Sequence, residues 1–185
     1  MIQGYRALDA NNPAAAVAPL EAFYKTFLSD TSLQNGAFDQ VCFLGLAYGL
    51  SGRMADAEAV FRKAGPWSRC YALHGDVLAH TGDIAGATRV WNEGLRIAPD
   101  LAHIYLHRGL FELSRGQLRG AQADFATAHA KAPHYADPLK GWGDVLARAG
   151  RWPAALAKYD EALKYAPAWA KLHRARDAAA KRVRV

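Results

Sequence analysis

Small and large apolar positions return in one order along most of this chain. A glycine within an apolar stretch recurs at Gly45, Gly75, Gly109 and Gly143, at intervals of 30, 34 and 34 residues. A second glycine follows in step at Gly52, Gly82, Gly116 and Gly150, then a small residue at Ala57, Ala87, Ala121 and Ala155. An aromatic comes four residues after each alanine: Phe61, Trp91, Phe125 and Tyr159. The order predicts pairs of antiparallel helices. Glycine or alanine at a crossing lets two helix backbones approach to the short end of the usual range of about 8–10 Å, and the aromatic is expected to fill the space between one pair and the next. The second glycine suits a helix C-cap, where the left-handed conformation is common. Pro99, Pro133 and Pro167 fall where a second helix must end, since proline does not continue a helix interior. One pair cannot bury its apolar face alone, so the pairs are expected to stack into a curved solenoid with a concave side.

Taken in order, residues 1–37 fit this pattern least. Gly4 to Leu8 reads as the later half of a helix and Asn11-Asn12-Pro13 as a turn. Pro13 to Ser29 reads as a helix with Ala16, Leu20, Phe23, Tyr24 and Phe27 on its apolar side. Gly4 and Gly45 lie 41 residues apart, which places a longer connection near Asp30 to Asn35. The segment is a partial or degenerate repeat, and a fragment of a longer chain is the expectation. Four repeats follow, at 38–67, 68–101, 102–135 and 136–169, the first of them four residues short and closed early by Gly65-Pro66. Residues 170–185 read as a lone basic helix covering the last repeat.

A period of 34 with these residues resembles the tetratricopeptide repeat (TPR) family, over roughly residues 38–170. The resemblance implies an all-α fold, a right-handed superhelical solenoid of antiparallel helix pairs with a C-terminal capping helix. It also implies a function: such arrays hold a peptide or helix of another protein along the concave face, lined by the first helix of each repeat.

Carried over by position, the concave candidates are Asp39, Cys42, Phe43, Leu46 and Leu50 in the first repeat, and Arg69, Leu73, Asp76 and His80 in the second. The third offers His103, Leu106, His107, Leu110 and Leu113; the fourth offers Asp137, Lys140, Asp144 and Arg148. The lysine, arginine and asparagine set with which one subset of the family grips the C-terminal carboxylate of heat-shock chaperones is absent. Cys42, Leu46, Leu73 and Leu106 stand at those places instead. The groove is apolar at one end and charged at the other, which suits an amphipathic helix or an extended apolar peptide oriented by Lys140, Asp144 and Arg148. The competing reading has Phe43, Leu46 and Leu110 covered by the chain's own N-terminal segment or by a second copy.

Composition narrows the class. Of 185 residues, 51% are hydrophobic and 22% charged, ordinary for a globular protein. The longest apolar run, Val41–Leu50, has ten residues, against about 20 for a membrane span. The N-terminus lacks the features of a secretory signal. The two cysteines, Cys42 and Cys70, fall on different helices without CxxC spacing, which argues against a disulfide scaffold or a zinc site and for a reducing cytoplasm. Seven basic residues against one acidic from Lys164 onward account for the net charge of +6. With no interleaved aromatics, this charge is read as a solvated cap, and nucleic acid is not the expected partner.

Arg108 and Glu112 stand one turn apart and are expected to serve a structural ion pair or hydrogen bond. His103 and His107 share that spacing; without a cysteine or carboxylate at ligand spacing, groove polarity is their expected role and no metal or other cofactor is assigned. No phosphate-binding glycine loop, Gly-x-Ser-x-Gly or His-Glu-x-x-His pattern occurs, so no catalytic residue is expected. Two functions remain: a non-catalytic scaffold for a protein or peptide partner, or an assembly module that self-associates or docks to another domain of a longer parent.

Overall fold

The computed structural model describes residues 2–29, 38–64 and 68–183. Among the described residues every regular element is a helix: α1 (Ile2–Asp9), α2 (Pro13–Ser29), α3 (Phe38–Leu50), α4 (Met54–Ala64), α5 (Ser68–His80), α6 (Ile84–Ile97), α7 (Ala102–Ser114), α8 (Leu118–Lys131), α9 (Ala136–Arg148), α10 (Trp152–Leu163) and α11 (Ala170–Val183). The longer connection expected at Asp30–Asn35 and the Gly65-Pro66 closure lie outside the described residues. The helices fall into two compact bodies, one ending at Pro99 and one beginning at Asp100.

In the N-terminal body α1 packs on α2, α2 on α3, and α3 on both α4 and α5, with α5 on α6. In the C-terminal body α7 packs on α8 and α9, α8 on α9, α9 on α10, and α10 on α11. Each body is therefore a stack of antiparallel hairpins. The last helix, α11, buries Leu172 and Ala179 against α9 and α10, as a capping helix does.

Four hairpins turn on the glycines identified in the sequence. Gly52, Gly82, Gly116 and Gly150 have φ of 81°, 91°, 74° and 72°. The next residue donates its N–H to the carbonyl five residues back, as in Arg53→Tyr48 and Gln117→Glu112, both 2.9 Å; this is the Schellman closure. The N-terminal turn uses the same device. Asn11 has φ of 56° and Asn12 N–H donates to Ala7 O at 2.8 Å. Asparagine is one of the few other residues that enter this region routinely. Asn11 lies 41 residues before Gly52, the interval that also separates Gly4 from Gly45, so residues 4–20 keep the register of a full hairpin.

The aromatics do more than fill the space between hairpins. Each covers the glycine of its own hairpin, where a Cβ would collide with it: at Gly45 the Phe61 ring would lie 2.8 Å away, and at Gly109 the Phe125 ring 3.0 Å. Gly75 with Trp91 and Gly143 with Tyr159 repeat the arrangement, and Leu20 takes the aromatic's place over Gly4. Phe61 and Phe125 also reach into the next hairpin, Phe61 stacked on His74 of α5 with ring centroids 4.5 Å apart and Phe125 against Gly141.

The two cysteines are a second correction. Cys42 and Cys70 meet between α3 and α5 and are joined as a disulfide, with Cα atoms 5.1 Å apart, inside the usual range for such bonds. Both are buried. A 28-residue separation carries no motif, and only the side-by-side packing of two first helices brings the positions together. The inference of a reducing compartment from the cysteine spacing loses its basis.

Arg108 reaches across its hairpin: its Nε and one Nη donate to the two oxygens of Asp124, at 2.7 and 2.8 Å. Asp124 is buried, and a bidentate charge-assisted pair compensates it. Glu112 fares worse. Its Oε2 is buried without a hydrogen-bond partner and lies over Gly120, where a Cβ would meet it at 2.5 Å. Burial, then the Asp124 charge, push its carboxyl pKa up, and Arg108 opposes them. The folded state thus favours the neutral acid. Stability from this group is full below the unfolded pKa, about 4.5, and declines as pH rises through the higher folded value. Glu112→Gln is expected to raise the melting temperature at pH 7 by about 2 °C, with the gain vanishing near pH 4; scans at the two pH values check it.

Candidate peptide-binding surfaces

In the N-terminal body the first helices α1, α3 and α5 present Tyr5, Leu8 and Asp9, Phe43, and Arg69 around one open pocket of about 380 Å³. Tyr5 meets Phe43 edge to face, with ring centroids 4.8 Å apart, and the Arg69 guanidinium lies 5.7 Å from the Phe43 centroid. Burial pushes the Tyr5 phenol pKa up, partly offset by Arg69. The pocket therefore has aromatic walls and a rim carrying one cation and one carboxylate.

Tyr5, Leu8 and Asp9 were missed in the sequence, and for Tyr5 and Asp9 the signal was the 41-residue offset. With it, Tyr5 takes the register of Leu46 and Asp9 that of Leu50. Leu46 and Leu50 are half-buried, Asp76 is half-buried and His80 is exposed. Leu73 is not a groove residue: it is 3% exposed and packs in the core with Val77 and Cys70. Cys42 is buried likewise. Asp39 belongs to α3, but its side chain lies outside the described residues.

In the C-terminal body a second pocket of about 400 Å³ is lined by Leu113, Asp144, Ala147, Arg148, Trp152 and Tyr159. Asp144 is its hub. It accepts from Lys140 Nζ at 2.6 Å and from the Tyr159 hydroxyl at 2.8 Å. Burial, then the bond to this carboxylate, drive the Tyr159 phenol pKa far up, so Tyr159 stays a neutral donor. Arg148 donates to the Leu113 carbonyl, tying α9 to α7. Trp152 and Tyr159 were not among the sequence candidates; they come from the second helix of the hairpin, which a reading by first-helix positions omits.

Elsewhere on α7 and α9, Leu110 is 44% exposed, whereas Leu106 is 3% exposed and belongs to the core with Phe125 and Ala121. Leu106 is thus corrected from groove to core. His103 is half-buried with its ring 5.3 Å from that of Tyr135, and His107 is half-buried too. Burial pushes the Asp137 carboxyl pKa up, opposed by its own backbone N–H and by His107 and Lys140. Among the described residues no helix is long and apolar enough to cross a membrane.

No protein-family model matches the sequence. Protein FlbA of Caulobacter vibrioides is 32% identical over 101 residues, which cover 50% of this chain and 17% of that protein. Among solved structures, TTC0263, a thermophilic TPR protein of Thermus thermophilus, superposes with a TM-score of 0.72 at 20% identity, covering 95% of this chain and 94% of that one. A chain of the APC/C hetero-tetramer Cut9–Hcn1 gives a TM-score of 0.69 at 12% identity, covering all of this chain and 40% of that one. Hairpins closed at one register, aromatics seated on glycines, and these superpositions agree: the fold is that of the tetratricopeptide-repeat proteins.

Proposed function

We propose that this chain is a non-catalytic protein–protein interaction scaffold that holds a helix or peptide of a partner against its first helices. The observation that carries the reading is the pocket of Tyr5, Leu8, Asp9, Phe43 and Arg69. Three successive first helices supply apolar walls and a charged rim to one concavity, the usual composition of a site that takes an apolar anchor and fixes its direction. In the C-terminal body the exposed Leu110 and the Asp144–Arg148 pocket offer a second place of the same kind. The Cut9–Hcn1 neighbour, solved as a hetero-tetramer, is compatible with such a role.

The test is selection of peptides from a displayed library of amphipathic helices on the full chain, followed by titration of the selected peptide against variants. Phe43→Glu, or Leu110→Asp for a peptide seated on the C-terminal body, is expected to weaken binding by roughly tenfold or more, about 1.4 kcal/mol, with helical circular dichroism unchanged. A library that yields no binder, or a binder indifferent to both substitutions, defeats the reading. Leu110, exposed and large, also suits the assembly alternative. Light scattering over a wide concentration range separates the two: a constant mass near 20.1 kDa goes with the scaffold, and a rising mass with self-association.

A further inference from the structure

The outer face of the capping helix is strongly charged in a way the groove does not account for. On α11, Leu172 and Ala179 face inward and are buried, while Lys171, Arg174 and Lys181 are exposed. Steps of three and seven residues put these three on one side of a helix, a row about 15 Å long at 1.5 Å per residue. Arg182 flanks the row, its guanidinium 5.7 Å from the Trp152 ring. Nearby acids are engaged elsewhere: Asp160 accepts from Arg176 at 2.9 Å, Asp177 is 3.4 Å from Arg176, and Glu161 is 2.8 Å from Lys158. Arg62, Arg89 and Arg119 are exposed as well, but they lie on three different helices, α4, α6 and α8.

We propose that this face of α11 is a second docking surface, separate from the groove, for an acidic segment of a partner polypeptide. Charge complementarity selects the class of partner. A carboxylate-bearing stretch of about five extended residues, at roughly 3.3 Å each, matches the length of the row. A membrane surface is less well served, because the apolar side of α11 is already spent on Leu172 and Ala179 and an interfacial helix needs that side for lipid. Nucleic acid is less well served too, because α11 itself carries no tryptophan, tyrosine or phenylalanine on which bases could stack.

The test is fluorescence anisotropy of a labelled oligoglutamate peptide of about ten residues with the full chain at rising salt. Binding that weakens with salt is expected. The triple variant Lys171→Glu, Arg174→Glu, Lys181→Glu is expected to lose roughly tenfold or more in affinity, while Arg62→Glu, Arg89→Glu, Arg119→Glu, with the same change in net charge, loses under about threefold. Glutamine in place of glutamate at the three α11 positions repeats the test if charge reversal perturbs the helix. The proposal is overturned by absence of binding, by equal losses in the two triple variants, or by tighter binding of phosphatidylserine vesicles or oligothymidylate than of oligoglutamate. Phe43→Glu leaves this binding unchanged, so failure here and failure of the groove reading are distinguishable.

Discussion

Trp91→Ala is expected to cost the N-terminal body about 3–5 kcal/mol. Trp91 is 1% exposed, its indole N–H donates to the Ala72 carbonyl at 3.2 Å, and its ring occupies the space over Gly75. Truncation removes the largest fully buried side chain among the described residues and leaves a cavity between α5 and α6 that two crossed helices cannot close. In a stack of hairpins the loss falls on neighbouring contacts, so denaturant unfolding should show the N-terminal body melting first. Trp152→Ala, at a half-buried pocket position, should lose much less. Equal losses at the two tryptophans would mean that the aromatic-on-glycine contact does not hold the hairpin.

The second large effect is expected at Arg108. Its substitution by alanine leaves Asp124, with 8% side-chain exposure, buried and unpaired. Breaking such a pair from one side costs about 3 kcal/mol or more. Arg108→Leu combined with Asp124→Leu should recover most of that loss, because a matched apolar pair removes both desolvation penalties. Chemical denaturation of Arg108→Leu, Asp124→Leu and their double closes the cycle. Strictly additive losses would show that the ion pair is incidental to the α7–α8 hairpin.

Much of the architecture was legible because the repeat states it several times. The helix-ending glycines, the crossing glycines and the aromatics carry fixed geometric duties, and four successive helix pairs carry all three. The N-terminal hairpin was harder to read only because Asn11 and Leu20 stand in for glycine and aromatic. Those are chemically sensible replacements that a search by residue type passes over. The surface was less legible. A first-helix position faces the groove or the core according to small rotations of that helix, so Leu73 is buried while Phe43, at the same register two residues before its crossing glycine, keeps exposure, and Leu106 is buried while Leu110, one turn on, is exposed. The Cys42–Cys70 contact and the Arg108–Asp124 pair depend on which residues two packed helices bring level, and no spacing rule within one helix reports that.

Hydrogen–deuterium exchange of the full chain with and without a selected helical peptide tests the central claim most directly. The account predicts that the peptide slows exchange in α1, α3 and α5, or in α7 and α9, with α4, α6 and α8 unchanged. Protection confined to those second helices, or none anywhere at saturating peptide, would contradict it.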